Sequence, residues 1–254
     1  MSADSPVTPF PSDRTAAPLR ALVLDTATDV VHLGLIDEAR AWTAVVAGGA
    51  QSSASLLPAA QTLLSDAGLT WADLTVVGFG RGPGAFTGLR TACSVTQGLA
   101  LAADCPVIPI DTLLAVAEDA RLQAPSRWLP GQLIWVVQDA RMDELYAAAY
   151  RWTGHEWETV EQPALWPLDL PRVRCAGAWV AGNALRAYPD AFDVQPDAHW
   201  PDATPSGAAL VALARQAWAR GAVVDAALAL PLYVRDKVAQ TTAERQASKR
   251  TQGA

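Results

Sequence analysis

The sequence predicts an α/β fold in which mixed sheets are flanked by helices. Two observations lead to this class: three consecutive apolar strand-like runs open the chain, and strands then alternate with helices. The 254 residues, 51% of them hydrophobic, suit one large domain or two modest ones. We expect the ten tryptophans to fill the core and its margins.

The first half of the chain is predicted to form one unit. Its strands are predicted at 20–24, 30–36, 41–47, 75–79 and 107–110. Its helices are predicted at 53–67, 87–103 and 112–123. In the first helix, Ser53 or Ser55 is the expected N-cap, and Gly68 is the expected C-cap because glycine readily adopts a left-handed conformation.

A second unit begins near Leu133. Its strand-like runs are at 133–138, 145–152 and 176–181, and the turn Asp139–Glu144 joins the first two. Residues 154–175 are predicted to be irregular. Asn183 should cap a short helix, and a longer helix should run from Ser206 to Ala219, before Gly221. The first unit thus recurs in looser form, although no repeat is visible in the sequence.

Charge and cysteine content narrow the classes of function. The net charge is −7, so the body is a poor binder of nucleic acid by itself. A basic C-terminal stretch is either a solvated tail or a contact for tRNA; it contains Arg235, Lys237, Arg245, Lys249 and Arg250. Three widely spaced cysteines argue against a disulfide framework or a zinc site and fit a reducing cytosol. No signal peptide or membrane-spanning run is expected.

The loop Gly80–Gly88 is the first candidate for a functional site. Its glycines precede a helix, where exposed backbone N–H groups and the helix dipole favour an anion. The GK[ST] ending of a P-loop is missing, so this pattern is weak. The alternative is a tight turn between strand and helix.

Other catalytic signals are sparse. Only three histidines occur, and none lies between His32 and His155. The turn Asp25–Thr28 ends the first strand, where actin-like and sugar-kinase folds place a phosphate-binding turn. Ala27 supplies a Cβ where such a turn needs glycine. We therefore favour a structural role for Asp25, such as capping the turn, over metal or phosphate binding.

The helix after the glycine loop is apolar or small on nearly all its faces. From Gly88 to Ala103 it carries one charged residue, Arg90, and the helix at 53–67 has none before Asp66. A helix that is apolar all round is buried on both sides. One face should cover the sheet, and the other should meet a partner protein or an internal layer of the same chain.

Several segments together resemble the TsaB (YeaZ) family in order and spacing, over about Leu19 to Ala239. They are LVLDTAT, SLLPAAQTLLSDAGL, GFGRGPGAFTGLRTACSVTQGLALAADCPVIPIDTL, QDARMDELYAAAY, AGNALRAYPD and PLYVRDKVA. The stretch 78–112 is the most specific, followed by the motif of Asp139, Arg141, Glu144 and Tyr146. This chain departs from the family pattern at two positions. It has Ser52 where many members have His, and Ala85 where Ser is common.

The resemblance implies an actin-like fold of two duplicated ribonuclease-H-like domains. We expect a disordered extension at 1–18, a first domain at 19–125 completed by 222–240, a second at 126–221 and a flexible tail at 241–254. It also implies a cytoplasmic, non-catalytic subunit that binds TsaD, the enzyme that transfers a threonylcarbamoyl group to tRNA. TsaD-type proteins carry an H-x-x-x-H metal pair where this chain has Asp111–Ala115, so we expect no metal or cofactor in this subunit.

ATP and metal are accordingly expected to bind to the TsaD-like partner, and a TsaE-like ATPase is expected in the wider complex. This subunit is expected to contact tRNA only indirectly and to form a homodimer when the partner is absent. The predicted interface comprises Leu56, Leu57, Leu63, Arg90, Ser94, Gln97, Gly98 and Leu101. A possible ligand-binding or structural loop comprises Asp25, Thr26, Arg81, Gly82, Pro83, Gly84, Thr87, Gly88, Asp139, Arg141 and Glu144. The alternative function is a stand-alone actin-like ATP-binding enzyme or a metalloprotease-like protein.

Overall fold

The structure, a computed structural model, describes residues 18–193 and 195–235 and contains two five-stranded sheets. The extension predicted at 1–18 lies almost wholly outside the described residues, and the tail predicted at 241–254 lies wholly outside them.

The first sheet confirms the strands predicted for the first half of the chain. Its strands are β1 (Arg20–Asp25), β2 (Val30–Asp37), β3 (Arg40–Ala47), β4 (Val76–Gly80) and β5 (Val107–Ile110). Their order is β3-β2-β1-β4-β5; β1, β2 and β3 pair antiparallel, while β4 and β5 continue parallel to β1. The predicted helices are α1 (Ser52–Ala67), α2 (Phe86–Ala102) and α3 (Thr112–Gln123).

The second sheet repeats this topology. Its strands are β6 (Leu133–Asp139), β7 (Glu144–Trp152), β8 (Trp157–Pro167), β9 (Trp179–Ala181) and β10 (His199–Trp200). The order β10-β9-β6-β7-β8 again joins a three-stranded antiparallel meander to two parallel strands. The helices of this half are α4 (Pro171–Arg174), α5 (Ala184–Ala187) and α6 (Gly207–Ala219). The duplicated, actin-like class of mixed sheets flanked by helices is therefore confirmed.

Two local predictions are wrong. Residues 157–167 form the strand β8 rather than an irregular segment. It is an edge strand that contains Pro163 and has five of its eleven residues exposed, and its pairing with β7 shifts register twice. An edge strand tolerates proline because one side of its backbone needs no partner. The N-cap of α1 is Gln51, and the Ser55 hydroxyl instead donates to the carbonyl of Ala47 at 2.6 Å. Gly68 does end the helix with φ of 73°.

Five layers stack through the molecule. Helices α1 and α2 cover one face of the first sheet, α3 and α6 lie between the two sheets, and α4 and α5 pack on the far face of the second. The central layer shares one apolar core with both sheets, including Val23 of β1 and Val136 of β6. Seven of the ten tryptophans are buried, as predicted.

After α6 the chain returns to the first sheet. The backbone of Val224 exchanges two hydrogen bonds with Val107 at the start of β5, with N···O distances of 2.8 and 2.9 Å. The division into domains stays a prediction. In the part of the chain that the structure describes, no helix combines the length and apolar character needed to cross a bilayer.

Candidate functional site

Asp25 is fully buried at the end of β1, and its carboxylate bonds to its own chain. One oxygen accepts the N–H of Ala27 at 2.7 Å, and the other accepts the hydroxyl of Thr112 at 2.7 Å. Burial raises the pKa of Asp25 to about 6, since desolvation outweighs the two hydrogen bonds that lower it. Asp25 thus caps the turn that follows β1 and ties it to the start of α3.

The glycines after β4 permit that turn to approach very closely. A Cβ on Gly80 would lie 1.7 Å from a carboxylate oxygen of Asp25, and a Cβ on Gly84 would lie 2.5 Å from the Cβ of Ala27. Real Cβ atoms do not come so near to other heavy atoms, so both positions need glycine for steric reasons. Ala27, in the turn after β1, therefore packs closely against the backbone of Gly84.

The start of α2 is packed in the same way. A Cβ on Gly88 would lie 1.9 Å from the carbonyl oxygen of Thr26, and the Thr26 hydroxyl donates to the Gly88 carbonyl at 2.6 Å. Three N–H groups of the loop donate within the protein: Arg81 to Ile110, Gly82 to Thr112 and Ala85 to Ala27. These contacts favour the tight-turn interpretation, while a ligand role for the loop stays a prediction.

Asp111 and Ala115, where the resemblance places the TsaD metal pair, make contacts within the fold. One oxygen of Asp111 caps α3 by accepting the N–H of Leu113 at 2.9 Å, and the other accepts the hydroxyl of Tyr150 at 3.0 Å. Burial raises the pKa of Asp111, against the lowering effect of the Tyr150 hydroxyl. Ala115 is fully buried. Among the described residues, no group of three or more His, Cys, Asp and Glu side chains could hold a metal ion.

In the second half, the motif that begins at Asp139 forms an unusual turn. Arg141, Met142 and Asp143 all have positive φ, between 58° and 64°, although none is glycine. Each such residue costs roughly 1–2 kcal/mol, so tertiary contacts must hold the turn. Asp139 makes one such contact and one bond within the turn: it accepts the hydroxyl of Tyr188 at 3.1 Å and the N–H of Arg141 at 2.7 Å.

The segment after α6, residues 226–235, is here called the strap because it joins the two halves. Leu232 donates its N–H to the carbonyl of Arg81 at 2.7 Å. Arg235 donates to a carboxylate oxygen of Glu144 at 2.6 Å and to the carbonyl of Arg141 at 3.2 Å. The strap forms one wall of a cleft of about 290 Å³ between the glycine loop and the turn at Asp139–Glu144. The side chain of Arg235 is only 13% exposed, so this member of the basic stretch is not a free cation.

The outer face of α2 is uncovered. Leu101 is 79% exposed, Ser94 is exposed, and a Cβ on Gly98 would meet no atom within 4 Å. Arg90 lies 3.8 Å over the ring of Phe86, and Gln97 is half-buried. No element in the described residues forms an internal layer over this face, and the choice between a partner protein and an internal layer stays a prediction.

On α1, placing Leu56 and Leu63 in the interface is wrong. They are 0% and 5% exposed and pack in the core under the first sheet, because the apolar face of α1 that contains them points inward. Leu57, at 42% exposed, remains a surface residue.

Ser52 and Ala85 are the two positions at which the sequence departs from the family pattern. The Ser52 hydroxyl donates to the carbonyl of Gly49, and Ala85 is the N-cap of α2, without a side-chain hydrogen bond.

Comparisons with known proteins agree with the topology. A family model described as "TsaD: tRNA N6-adenosine threonylcarbamoyltransferase" matches residues 48–169. The tRNA threonylcarbamoyladenosine biosynthesis protein TsaB of Escherichia coli K12 is 31% identical over 232 residues, which is 87% of this chain and 96% of that protein. The TsaB of Haemophilus influenzae is 34% identical over 128 residues, covering 50% of this chain and 52% of that protein.

Two solved structures are also similar. One is titled an uncharacterized protein with similarity to peptidase YEAZ from Pseudomonas aeruginosa, with a TM-score of 0.77 and 33% identity over 85% of this chain and 100% of that one. The other, YeaZ from Pseudomonas aeruginosa, has a TM-score of 0.75 and 33% identity over 85% of this chain and 99% of that one.

Proposed function

The chain belongs to the TsaB (YeaZ) family, and we propose that it is a non-catalytic subunit that binds a TsaD-like threonylcarbamoyltransferase. The TsaB relatives of Escherichia coli and Haemophilus influenzae are named as tRNA threonylcarbamoyladenosine biosynthesis proteins. In this proposal the chain is required for that modification of tRNA, while ATP and metal are bound by the TsaD-like enzyme. A TsaE-like ATPase belongs to the wider complex.

The contacts of the buried polar groups support a non-catalytic role. Asp25, Asp111 and Thr112 use their side chains to join β1, α3 and β7, so they are engaged in holding the fold. The glycines beside them serve close packing rather than leaving room at the backbone. A nucleophile or general base needs a free face toward a substrate, and the side chains of Asp25 and Thr112, which are 0% and 2% exposed, offer none.

The uncovered face of α2 is the observation that carries the proposal of partner binding. It presents Leu101, Ser94 and Gly98 to solvent with one charge, Arg90, nearby. The TsaD family match spans residues 48–169 and so includes both α1 and α2. A TsaD-like partner would therefore carry a similar helix pair, and two such pairs can pack about an approximate two-fold axis. The same geometry gives a homodimer when the partner is absent.

The test is binding of the purified chain to the TsaD-like enzyme of the same organism. Ser94→Arg places a long charged side chain at the centre of the proposed contact, where an unpaired buried charge costs on the order of 3–5 kcal/mol. We expect loss of the complex and of tRNA modification in the reconstituted reaction. Ser126→Arg is the matched control, since Ser126 is also exposed but lies beyond α3. Wild-type affinity of the folded Ser94→Arg variant would place the interface elsewhere.

Calorimetry with ATP and magnesium or zinc separates this function from the alternative of an enzyme acting alone. The proposal predicts no micromolar binding and no ATP or peptide hydrolysis by the isolated chain. Turnover that disappears in Asp25→Asn would refute the non-catalytic role. Contact with tRNA is proposed to be indirect, because the acidic body gives little electrostatic attraction to phosphates.

A further inference from the structure

The strap lies along one flank of α2. Ala229 is fully buried there, and its carbonyl accepts from the thiol of Cys93 at 3.0 Å and from the amide of Gln97 at 3.1 Å. Further along, the Tyr233 ring lies 5.2 Å from that of Phe86. Residue numbers therefore rise along the strap as they fall along α2, so the two run antiparallel and side by side.

Two leucines of the strap stand outward on this flank. Leu228 is 51% exposed and Leu230 is 65% exposed, on either side of the buried Ala229. Because the strap and α2 run antiparallel, Leu228 lies toward the end of the helix that carries Leu101. Large apolar side chains that are grouped in this way on a surface mark sites of protein contact.

The backbone that carries these leucines is anchored at both ends. Before them, Val224 pairs with Val107. After them, Leu232 donates to Arg81, and Arg235 donates to Glu144 in the second half. Binding therefore needs little further ordering of this segment, and less of the interaction energy is lost to conformational entropy.

The chemistry of this surface selects the kind of partner. Residues 226–234 contain no charged side chain, and α2 contains only Arg90. Nucleic acid requires cations to neutralise phosphates, so it does not fit. An apolar protein surface does.

Size also favours including the strap. A helix of 17 residues is about 26 Å long and about 10 Å wide, so α2 alone offers a footprint on the order of 250 Å². A specific interface buries roughly 800 Å² on each partner. Helix α1 beside it about doubles the footprint, and the strap adds roughly another 100 Å². The three elements together offer roughly 600 Å², about three quarters of that size, whereas α2 alone offers about a third.

We propose that Leu228 and Leu230 extend the contact surface of α2 and are buried by the TsaD-like subunit. This inference rests on the proposed function, because it takes that subunit as the occupant of α2.

The experiment compares Leu228→Glu and Leu230→Glu with Leu129→Glu in binding to the purified TsaD-like enzyme. Leu129 is the matched control: it is the same residue type, 68% exposed, and lies outside α1, α2 and the strap. We expect each strap variant to weaken binding at least about tenfold, and Leu129→Glu to change it less than about twofold. All three sites are half or more exposed, so the fold should persist, which circular dichroism verifies.

The outcomes distinguish this inference from the proposed function. If Ser94→Arg abolishes binding while both strap variants bind like wild type, the proposed function stands and the strap lies outside the interface. If none of the variants changes binding, both proposals are overturned. Hydrogen exchange of the wild-type complex gives a second measurement that needs no variant: amides 226–231 should gain protection on binding, and unchanged exchange there would overturn the inference.

Discussion

Replacing Gly88 by alanine should destabilise the fold, whereas the same replacement at Gly98 of the same helix should not. At Gly88 the new Cβ would lie 1.9 Å from the Thr26 carbonyl oxygen, while at Gly98 it would meet nothing within 4 Å. Relieving the overlap at Gly88 requires α2 and the turn after β1 to separate, which also breaks the hydrogen bond from Thr26 to the Gly88 carbonyl.

The magnitude follows from three contributions. Overpacking against backbone costs on the order of 3 kcal/mol, and the lost hydrogen bond adds about 1 kcal/mol. Alanine gains up to about 1 kcal/mol of helix propensity over glycine, so the net loss for Gly88→Ala is about 3 kcal/mol. For Gly98→Ala only the propensity remains, a gain of about 0.5–1 kcal/mol.

Thermal unfolding followed by circular dichroism measures the difference. In a chain of this size, 1 kcal/mol shifts Tm by roughly 2–4 °C, so Gly88→Ala should lower Tm by about 6–12 °C. Gly98→Ala should raise Tm slightly. Equal Tm values for the two variants would refute the argument that Gly88 is required for the close approach of Thr26.

Three further predictions concern buried or terminal groups. Folding raises the pKa of Asp25 from 3.8 to about 6, so the protonated carboxyl stabilises the fold and this contribution is lost as pH rises through that range. From pH 5 to pH 7, the free energy of unfolding of wild type should fall by about 1 kcal/mol relative to that of Asp25→Asn. Parallel pH profiles of the two proteins in urea unfolding would contradict this. Glu118 is fully buried and accepts hydrogen bonds from Arg121 and Trp157, each at 2.8 Å. Glu118→Ala should lower the free energy of unfolding in urea by about 3 kcal/mol, because it leaves the partly buried Arg121 charge without its partner. Gln123→Ala, at the exposed end of α3, should lower it little. Ala85 is the N-cap of α2; its backbone is extended and its side chain cannot cap the helix. Ala85→Ser should stabilise the fold by about 0.5–1 kcal/mol. An unchanged Tm would show that the serine does not form the cap.

The elements with clear periodicity or flanking turn residues could be predicted from the sequence. Strand β5 and helix α3 have the predicted bounds, and the meander of β1, β2 and β3 was predicted within about one residue at each end. Strand β8 could not be recognised, because its sequence lacks a regular apolar alternation and contains Pro163, which only an edge strand tolerates.

The sequence identified many residues of the candidate site, but it did not show how they pack against one another. The sequence marks the glycines after β4, but their purpose depends on the turn at Asp25, which only the fold brings into contact with them. An apolar helix such as α1 does not reveal which side faces the sheet, so Leu56 and Leu63 were assigned to the wrong surface. The three left-handed residues at Arg141–Asp143 carry no glycine signal, and the strap has no periodic pattern.

The layer of helices between the two sheets has a consequence for synthesis on the ribosome. Helix α6 covers β1, β2 and β5, yet about 100 residues separate the end of β5 from its start. At usual elongation rates of roughly 5–20 residues per second, the first sheet is complete about 5–20 s before its inner covering has been translated. During that interval Ala21, Val23 and Ile36 face water or a chaperone. The nascent chain is therefore most prone to aggregation after its first half has emerged, and release from the ribosome before α6 would leave that half without its inner layer.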